Sequence, residues 1–400
     1  MTTQLANDCN PALCEAIARK IAESPQQRIT FAEYMDLVLY HPQHGYYVNH
    51  AVNLGKQGDF YTASHLGADF GELLATQFFQ IWEILAKPAE FTLLEMGAGQ
   101  GILALDVLNY LEAQHPDFFT VLRYTIVERS PTLIEHQQQR LHKYHDRVQW
   151  LTLEQIAENS IVGCCFSNEL VDAFAVHQFV IENGQLREIY VTTEGKARSS
   201  LPVTFIEVTD QPSTPRLAEY FELVNMAIPS PVYRDGYRSE VNLAALDWLA
   251  TIATRIKRGY LLTIDYGYLA QRYYNPMRSR GTLQCYYQHH RHDNPYIYIG
   301  QQDITAHVDF TALQQWGELC RLTTVGMTQQ GLFLMALGLG ERIAALTSSS
   351  QSMHLMLHKR DTLHQLIDPT RLGGFHVLIQ SKNLTPTQTA QVLKGLDLPY

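Results

Sequence analysis

Short apolar runs alternate with helical patterns along the chain after Phe91, and this alternation constrains the fold more than any other feature. It is typical of βαβ units, in which helices connect parallel strands. Continuous apolar runs also suit a sheet that is covered on both faces. Strands are predicted at Phe91–Met96, Leu122–Glu128, Arg147–Leu151, Ile161–Ser167, Tyr260–Asp265, Leu322–Thr328 and Phe375–Ser381. We therefore predict an α/β fold.

Helical patterns occur between these strands and also before the first of them. They cover Pro11–Ala22, Phe31–Leu39, Gly71–Leu85, Ile102–Gln114, Pro131–Tyr144, Val241–Lys257 and Phe310–Cys320. Residues 178–239, which begin with a hairpin pattern at Asn183-Gly184, and residues 266–308, rich in Tyr, His and Arg, fit no minimal sheet domain. Long irregular stretches of this kind are usually functional. We predict a helical extension at 1–90, a core at 91–382 with insertions at about 178–239 and 266–308, and a tail at 383–400.

Composition excludes several classes of protein. The chain has 40 acidic and 30 basic residues, a formal charge of −10, which disfavours broad binding to nucleic acid. Its six cysteines form no CxxC pair, so neither a metal site nor a disulfide framework is expected, and Cys164 and Cys165 are predicted to be buried free thiols. No apolar stretch is long enough for a membrane span and no export signal is visible, so we expect a cytoplasmic protein without membrane insertion.

The strongest motif is the glycine-rich segment Glu95-Met96-Gly97-Ala98-Gly99-Gln100-Gly101, directly after one predicted strand and directly before a helix. Glycines allow a tight turn and a close approach of the backbone to a ligand, and the helix N-terminus offers N–H groups. A nicotinamide dinucleotide site would require glycine where Ile102 stands, and Glu95 would repel a pyrophosphate. The pattern instead favours a ligand with a cation near the loop, such as the amino-acid end of S-adenosylmethionine. The candidate contacts are Glu95, Gly97, Ala98, Gly99 and Gly101.

Glu128 ends the second predicted strand, in the sequence Ile-Val-Glu-Arg-Ser. A carboxylate at this position can accept hydrogen bonds from both ribose hydroxyls of an adenosine group. The alternative is a surface acid paired with Arg129. Together with Glu95 and the three glycines, Glu128 favours an S-adenosylmethionine site.

These residues resemble the class I S-adenosylmethionine-dependent methyltransferases, and the wider pattern resembles their MidA family. The resemblance rests on the glycine-rich segment and on motifs spread over about residues 28–382. They are His41–Tyr47 (HPxxGYY), Gly58–Ala63 (GDFYTA), Asn168–Phe174 (NELVDAF), Asp265–Gly267 (DYG), Gly281-Thr282, Asp303–Phe310 (DITAHVDF) and Gln330-Gly331. The chain departs from the family after Ala63, where it reads Ser-His-Leu-Gly instead of the usual Pro-Glu-Ile-Ser.

The resemblance implies a Rossmann-like methyltransferase core with a mostly parallel seven-stranded sheet, a helical N-terminal extension and inserted substrate-recognition elements. It implies S-adenosylmethionine as cofactor and a protein substrate, because the family's mitochondrial members dimethylate an arginine on a respiratory complex I subunit. The extension would then place Asp59 against the ammonium or ribose of the cofactor. A turn closed by the Asp59 side chain is the alternative. The oligomeric state stays open, with a homodimer as one option.

Four further side chains are candidates for the chemistry of methyl transfer. An arginine acceptor needs carboxylates to hold its guanidinium, and Glu169, supported by Asp172, follows the fourth strand, where α/β sheets place ligands. Both acids would also suit a helix N-terminus without any catalytic role. Asp265 ends the fifth strand and either lines the substrate pocket or braces the turn before Gly267. His307 is either a general base or a hydrogen-bonding group of an ordered lid.

The sequence thus favours a methyltransferase acting on an arginine of a partner protein, with Glu169, Asp172 and Asp265 forming a negative pocket. Three alternatives remain: a small-molecule or lysine methyltransferase, a nicotinamide-dependent oxidoreductase, and an assembly chaperone that keeps the fold without catalysis.

Overall fold

The structure is a computed structural model that describes residues 9–49, 62–194, 203–347 and 353–398. The chain forms two compact units that are interleaved in sequence. One, the large-sheet unit, contains the described residues of 62–170, 249–266 and 317–398. The other, the small-sheet unit, contains those of 9–49, 171–248 and 267–316. The boundaries predicted from the sequence for the extension, the core and the insertions differ from the boundaries of these two units, and that division of the chain stays a prediction.

A seven-stranded sheet forms the centre of the large-sheet unit. Its strands are β1 (Phe91–Met96), β2 (Leu122–Val127), β3 (Val148–Leu151), β4 (Ile161–Asn168), β5 (Ile256–Asp265), β6 (Thr323–Gln329) and β7 (His376–Lys382). They lie in the order β6-β7-β5-β4-β1-β2-β3. The pairs from β5 to β3 are parallel, whereas β7 is antiparallel to both β5 and β6. The predicted α/β fold is confirmed, with a mixed sheet.

The strands of this sheet follow the apolar runs because each central strand is buried on both faces. β1 has the predicted bounds, and Phe91, Leu93 and Leu94 are buried in the core of the unit. β5 starts earlier than predicted, at Ile256, because backbone pairing with β4 continues through the charged residues that follow it. Backbone pairing with its neighbour therefore extends the strand where the side-chain pattern does not.

The helices agree with the periodic segments, with ends set by capping residues. Thr30 starts the second helix with a capping box to Glu33, and Ser130 accepts the N–H of Leu133. Among the described residues the helices are Pro11–Glu23, Phe31–Tyr40, Tyr46–Asn49, Asp69–Ile84, Ile102–Gln114, Pro116–Val121, Pro131–Arg140, Arg216–Leu223, Leu243–Arg255, Ala270–Tyr273, Phe310–Leu319, Gln330–Ala336, Leu339–Thr347, Met353–Ile367 and Pro386–Thr389. No helix in these ranges is long and apolar enough to cross a membrane.

The small-sheet unit is built from short strands around two aromatic-rich cores. An antiparallel sheet joins Ile29–Thr30, His177–Glu182, Gln185–Thr193, Phe205–Asp210 and Arg238–Val241. Asn183 and Gly184 form the predicted hairpin turn, each with a positive φ. The stretch after residue 266 contains Gly267–Tyr268 paired with Val308–Asp309, and Gln284–Tyr287 between His290–His292 and Asp303–Thr305.

Candidate cofactor and acceptor sites

The glycine-rich segment forms the connection from β1 to the helix Ile102–Gln114. Gly97, Gly99 and Gly101 have φ angles of 72°, 51° and 74°. A Cβ on Gly97 would lie 2.8 Å from Leu170 Cδ1, so a larger residue here would have to displace the Leu170 side chain and adopt a left-handed conformation that favours glycine. The Gly101 N–H donates to the Ala98 carbonyl over 2.8 Å, which closes the turn at the start of the helix. Such a turn brings backbone N–H groups to a ligand at the sheet edge.

Glu95 is the buried carboxylate next to this turn, with only 3% of its surface exposed. Its Oε2 accepts a hydrogen bond of 2.6 Å from the Tyr124 hydroxyl, which lies on the neighbouring strand β2. Burial raises the pKa of Glu95 to about 7, with a further upward contribution from the charge of Glu128. A cationic group beside Glu95 would favour its ionised form.

Glu128 follows β2 and is held by three donors. Its Oε1 accepts the N–H groups of Arg129 at 2.8 Å and Ser130 at 2.9 Å, and its Oε2 accepts the Gln137 amide at 3.3 Å. Burial raises the pKa of Glu128, and these hydrogen bonds act in the opposite direction. A carboxylate fixed in this way at a strand end suits a vicinal diol, as the sequence predicts.

Gln137 is a residue of this site that the sequence did not point to. It is fully buried on the helix Pro131–Arg140, and its Nε2 also donates to the Gly99 carbonyl over 2.7 Å. Its Oε1 accepts the indole N–H of Trp150, on β3, over 2.8 Å. One amide therefore ties the glycine turn, Glu128 and β3 together. We call Glu95, Tyr124, Glu128 and Gln137 the glycine-loop cluster.

Glu169 and Asp265 end the neighbouring strands β4 and β5 of the same unit. Glu169 has a φ of 51°, a left-handed conformation uncommon for glutamate, and its Oε1 accepts the Asn168 amide over 3.2 Å. Asp265 is fully buried, and its two oxygens accept the N–H groups of Leu170 at 3.2 Å and Tyr266 at 2.9 Å. Asp265 thus holds the turn that carries Glu169 and the turn before Gly267.

Asp172 lies in the small-sheet unit, within a cluster that the sequence identified only in part. Its carbonyl accepts the Ala306 N–H over 2.9 Å, which fixes the Val171–Ala173 turn beside the strand Asp303–Thr305. Asp303, 1% exposed, accepts the Tyr47 hydroxyl over 2.9 Å. Burial raises the pKa of Tyr47, and the charges of Asp303 and Asp172 raise it further.

The ring of Tyr40 lies 5.3 Å from that of Tyr47, and its hydroxyl donates to the Ala173 carbonyl over 2.9 Å. We call Tyr40, Tyr47, Asp172 and Asp303 the tyrosine–aspartate cluster. It unites three motifs that are far apart in sequence: HPxxGYY, NELVDAF and DITAHVDF.

His307 also lies in the small-sheet unit, stacked on Tyr268 with ring centroids 5.0 Å apart. Burial lowers its pKa to about 4, and the nearby Arg278, Arg291 and Arg272 add to this effect. The imidazole is therefore neutral at pH 7 and a weak base. Its backbone N–H donates to the Thr282 hydroxyl, which links it to the Gly281-Thr282 motif.

The remaining predictions from the sequence have mixed outcomes. Asp59 lies outside the described residues. Cys164 and Cys165 are buried free thiols, as predicted. The described residues contain no group of three or more His, Cys, Asp or Glu side chains that could hold a metal ion.

Comparison with known proteins identifies the family of the chain. Residues 73–328 match the family model of S-adenosyl-L-methionine-dependent methyltransferases. The chain belongs to this family. S-adenosylmethionine is accordingly its cofactor, and the turn at Gly97 and the fixed carboxylate of Glu128 fit that ligand.

Two crystal structures of proteins from Burkholderia thailandensis share the fold of this methyltransferase over nearly its whole length. One, bound to S-adenosyl-homocysteine, is 27% identical with a TM-score of 0.81, covering 98% of this chain and 96% of that chain. The other, a native structure, is 28% identical with a TM-score of 0.80 and the same coverage.

Curated relatives carry a more specific name. The protein arginine methyltransferase NDUFAF7 homolog of Drosophila melanogaster, mitochondrial, is 28% identical over 86% of this chain and 79% of the relative. The human protein arginine methyltransferase NDUFAF7, mitochondrial, is 26% identical over 89% of this chain and 81% of the relative.

Proposed function

We propose that this methyltransferase transfers the methyl group of S-adenosylmethionine to an arginine of a partner protein, with a respiratory complex I-type subunit as the acceptor. The observation that carries the proposal is the tyrosine–aspartate cluster, because its buried carboxylates suit a guanidinium. The arginine specificity in the names of the curated relatives supports the same acceptor.

The glycine-loop cluster binds and orients the cofactor in this proposal. Glu128 accepts the ribose hydroxyls, and the turn from Gly97 to Gly101 receives the amino-acid end. Glu95, with its pKa near 7, ionises when the cofactor ammonium lies beside it. Gln137 fixes the position of Glu128 relative to the turn, because its amide donates one hydrogen bond to each of them.

The tyrosine–aspartate cluster holds the acceptor. A guanidinium presents paired N–H donors that match the oxygens of carboxylates, so Asp303 and Asp172 can hold an arginine side chain through two hydrogen bonds each. The roles predicted for Glu169 and Asp265 towards the acceptor stay predictions. The bound cofactor would supply an electrophilic methyl group on its sulfonium sulfur, and methylation would add this group to a guanidinium nitrogen. The guanidinium then loses one proton to a carboxylate or to water, and most of the rate comes from alignment.

His307 is not the base in this proposal. With a pKa of about 4 it is no stronger a base than an ordinary carboxylate, so it adds nothing that Asp172 and Asp303 do not already offer. We assign it instead to packing on Tyr268.

The test is transfer of tritiated methyl groups from S-adenosylmethionine to a library of peptides that each contain one arginine and one lysine. After acid hydrolysis of the peptides, we expect label in methylarginine and none in methyllysine. Glu128→Ala should strongly reduce the label at cofactor concentrations below its raised Kd, because cofactor binding is weakened. Label in methyllysine would contradict the proposal. So would the absence of label from every peptide when the cofactor saturates the enzyme.

A further inference from the structure

The stretch that follows β5 differs in charge from the rest of the chain. Residues 266–308 contain four arginines, no lysine and two aspartates, whereas the whole chain has 40 acidic and 30 basic residues. The arginines are Arg272, Arg278, Arg280 and Arg291. An acidic protein therefore carries one locally basic segment, within its small-sheet unit.

Two of these arginines converge on one aromatic ring. The guanidinium carbons of Arg272 and Arg278 lie 4.5 Å and 4.2 Å from the centroid of Tyr268. His307 stacks on the same ring, and Arg291 is close enough to lower the pKa of His307 together with Arg272 and Arg278. Cation–π attraction to Tyr268 offsets part of the repulsion between the guanidiniums. We call Tyr268, Arg272, Arg278 and Arg291 the arginine patch.

The arginine patch lacks matching acids. Within the described ranges, Arg280 forms an ion pair with Asp293 over 3.6 Å, but Arg272, Arg278 and Arg291 form none. Like charges held close together without counter-ions cost free energy, and an incoming anion removes that cost. The planar guanidiniums can each bind a carboxylate through two hydrogen bonds.

Exposed apolar side chains flank the patch. Met277, next to Arg278, is 91% exposed, and Leu269, next to Tyr268, is 44% exposed. Cationic and apolar groups side by side match a peptide in which acidic residues alternate with apolar ones. A phosphate polymer would use the charges but would leave the exposed apolar side chains of Met277 and Leu269 without partners.

We propose that the arginine patch is a docking surface for an acidic, apolar-flanked segment of the protein substrate, separate from the arginine that is methylated. This inference rests on the proposed function, because it takes the partner to be the protein substrate. The patch would raise the local concentration of the acceptor and so act on KM rather than on kcat.

The probe is a fluorescein-labelled peptide of Glu and Leu residues without arginine, with a counterpart in which Gln replaces every Glu. Fluorescence anisotropy measures the binding of both to the full chain at low salt, without methyl transfer. The test variant is Arg272→Gln with Arg278→Gln. The matched control is Arg19→Gln with Arg234→Gln, because both are exposed arginines of the small-sheet unit and the charge change is the same.

We expect the test variant to bind the Glu peptide about tenfold more weakly than wild type, and the control to stay within about twofold. Equal binding of the Glu and Gln peptides, or unchanged affinity of the test variant, would overturn the proposal. Tighter binding of a single-stranded oligonucleotide at the patch would overturn it as well. The experiment measures peptide binding and not methyl transfer, so it can be interpreted even if the proposed function is wrong. Calorimetry with S-adenosyl-homocysteine reports whether the variant is folded.

Discussion

The glycine-loop cluster and the tyrosine–aspartate cluster both bury carboxylates, but they are assembled in different ways. Glu95 and Glu128 come from adjacent strands of one sheet and lie beside a turn that is continuous in sequence. Tyr47, Asp172 and Asp303 come from three distant segments of the small-sheet unit. The first arrangement follows from strand order alone, whereas the second depends on how the inserted segments pack.

The difference has a functional meaning. The proposed cofactor contacts come from one stretch of neighbouring strands and their turn, whereas the proposed acceptor contacts come from segments that can be substituted independently. We therefore expect substitutions in the two clusters to separate cofactor binding from methyl transfer.

The largest expected effect belongs to Asp303→Asn. Loss of the carboxylate removes a charge-assisted contact to the guanidinium, so methyl transfer should fall by about 100-fold or more. Asp293→Asn is the control, since Asp293 lies in the same stretch but is 80% exposed. The assay is label transferred to arginine peptides at saturating cofactor. A rate within about threefold of wild type would remove Asp303 from the acceptor site.

Gly97→Ala should have the next largest effect, on cofactor affinity. The added methyl would lie 2.8 Å from Leu170 Cδ1, so the Leu170 side chain must shift, and an alanine at a φ of 72° strains the turn itself. We expect the Kd for S-adenosyl-homocysteine to rise by about 30-fold. Gly184→Ala is the matched control, because Gly184 has a φ of 70° but nothing within 4 Å of the added Cβ. If both variants keep wild-type affinity, close approach at Gly97 is not needed for binding.

Gln137→Met tests whether the buried amide positions the cofactor site. Methionine keeps the volume but removes the donors to Gly99 and Glu128, so we expect about tenfold weaker cofactor binding with little change in kcat. The control is Gln138→Met, at the exposed neighbouring position of the same helix. Gln137→Glu should not restore affinity, because it places a second carboxylate beside Glu128. Equal KM values for Gln137→Met and wild type would show that the amide is only structural.

The smallest expected effect is a pH dependence of cofactor affinity. Glu95 has a pKa of about 7, so it is mostly neutral at pH 6 and mostly ionised at pH 7.5 to 8. The ammonium group of S-adenosyl-homocysteine, placed beside Glu95, prefers the ionised carboxylate, so the Kd for this ligand should fall by about fivefold as the pH rises through this range. In Glu95→Gln the dependence should disappear, while the exposed control Glu90→Gln keeps it. The same slope in wild type and Glu95→Gln would contradict this role of Glu95.

The sequence predicted the glycine-loop cluster better than the tyrosine–aspartate cluster. Glu128 could be found because an apolar run that ends in an acid identifies a strand end, and Glu95 because it directly precedes the glycine-rich turn at the end of the neighbouring strand. Gln137 could not be found, since it occupies one of three consecutive glutamines and only tertiary packing distinguishes it from its exposed neighbours. Asp303 was visible as part of a motif, but its partner Tyr47 is 256 residues away, a pairing that no local pattern encodes.

The most direct test of this division of roles is a calorimetric titration with S-adenosyl-homocysteine of wild type, Glu128→Ala and Asp303→Asn. We predict that Glu128→Ala binds S-adenosyl-homocysteine about 100-fold more weakly than wild type, because two hydrogen bonds from ribose hydroxyls to a carboxylate are lost. Asp303→Asn should keep the wild-type Kd. Equal losses in the two variants, or wild-type affinity in Glu128→Ala, would contradict this prediction.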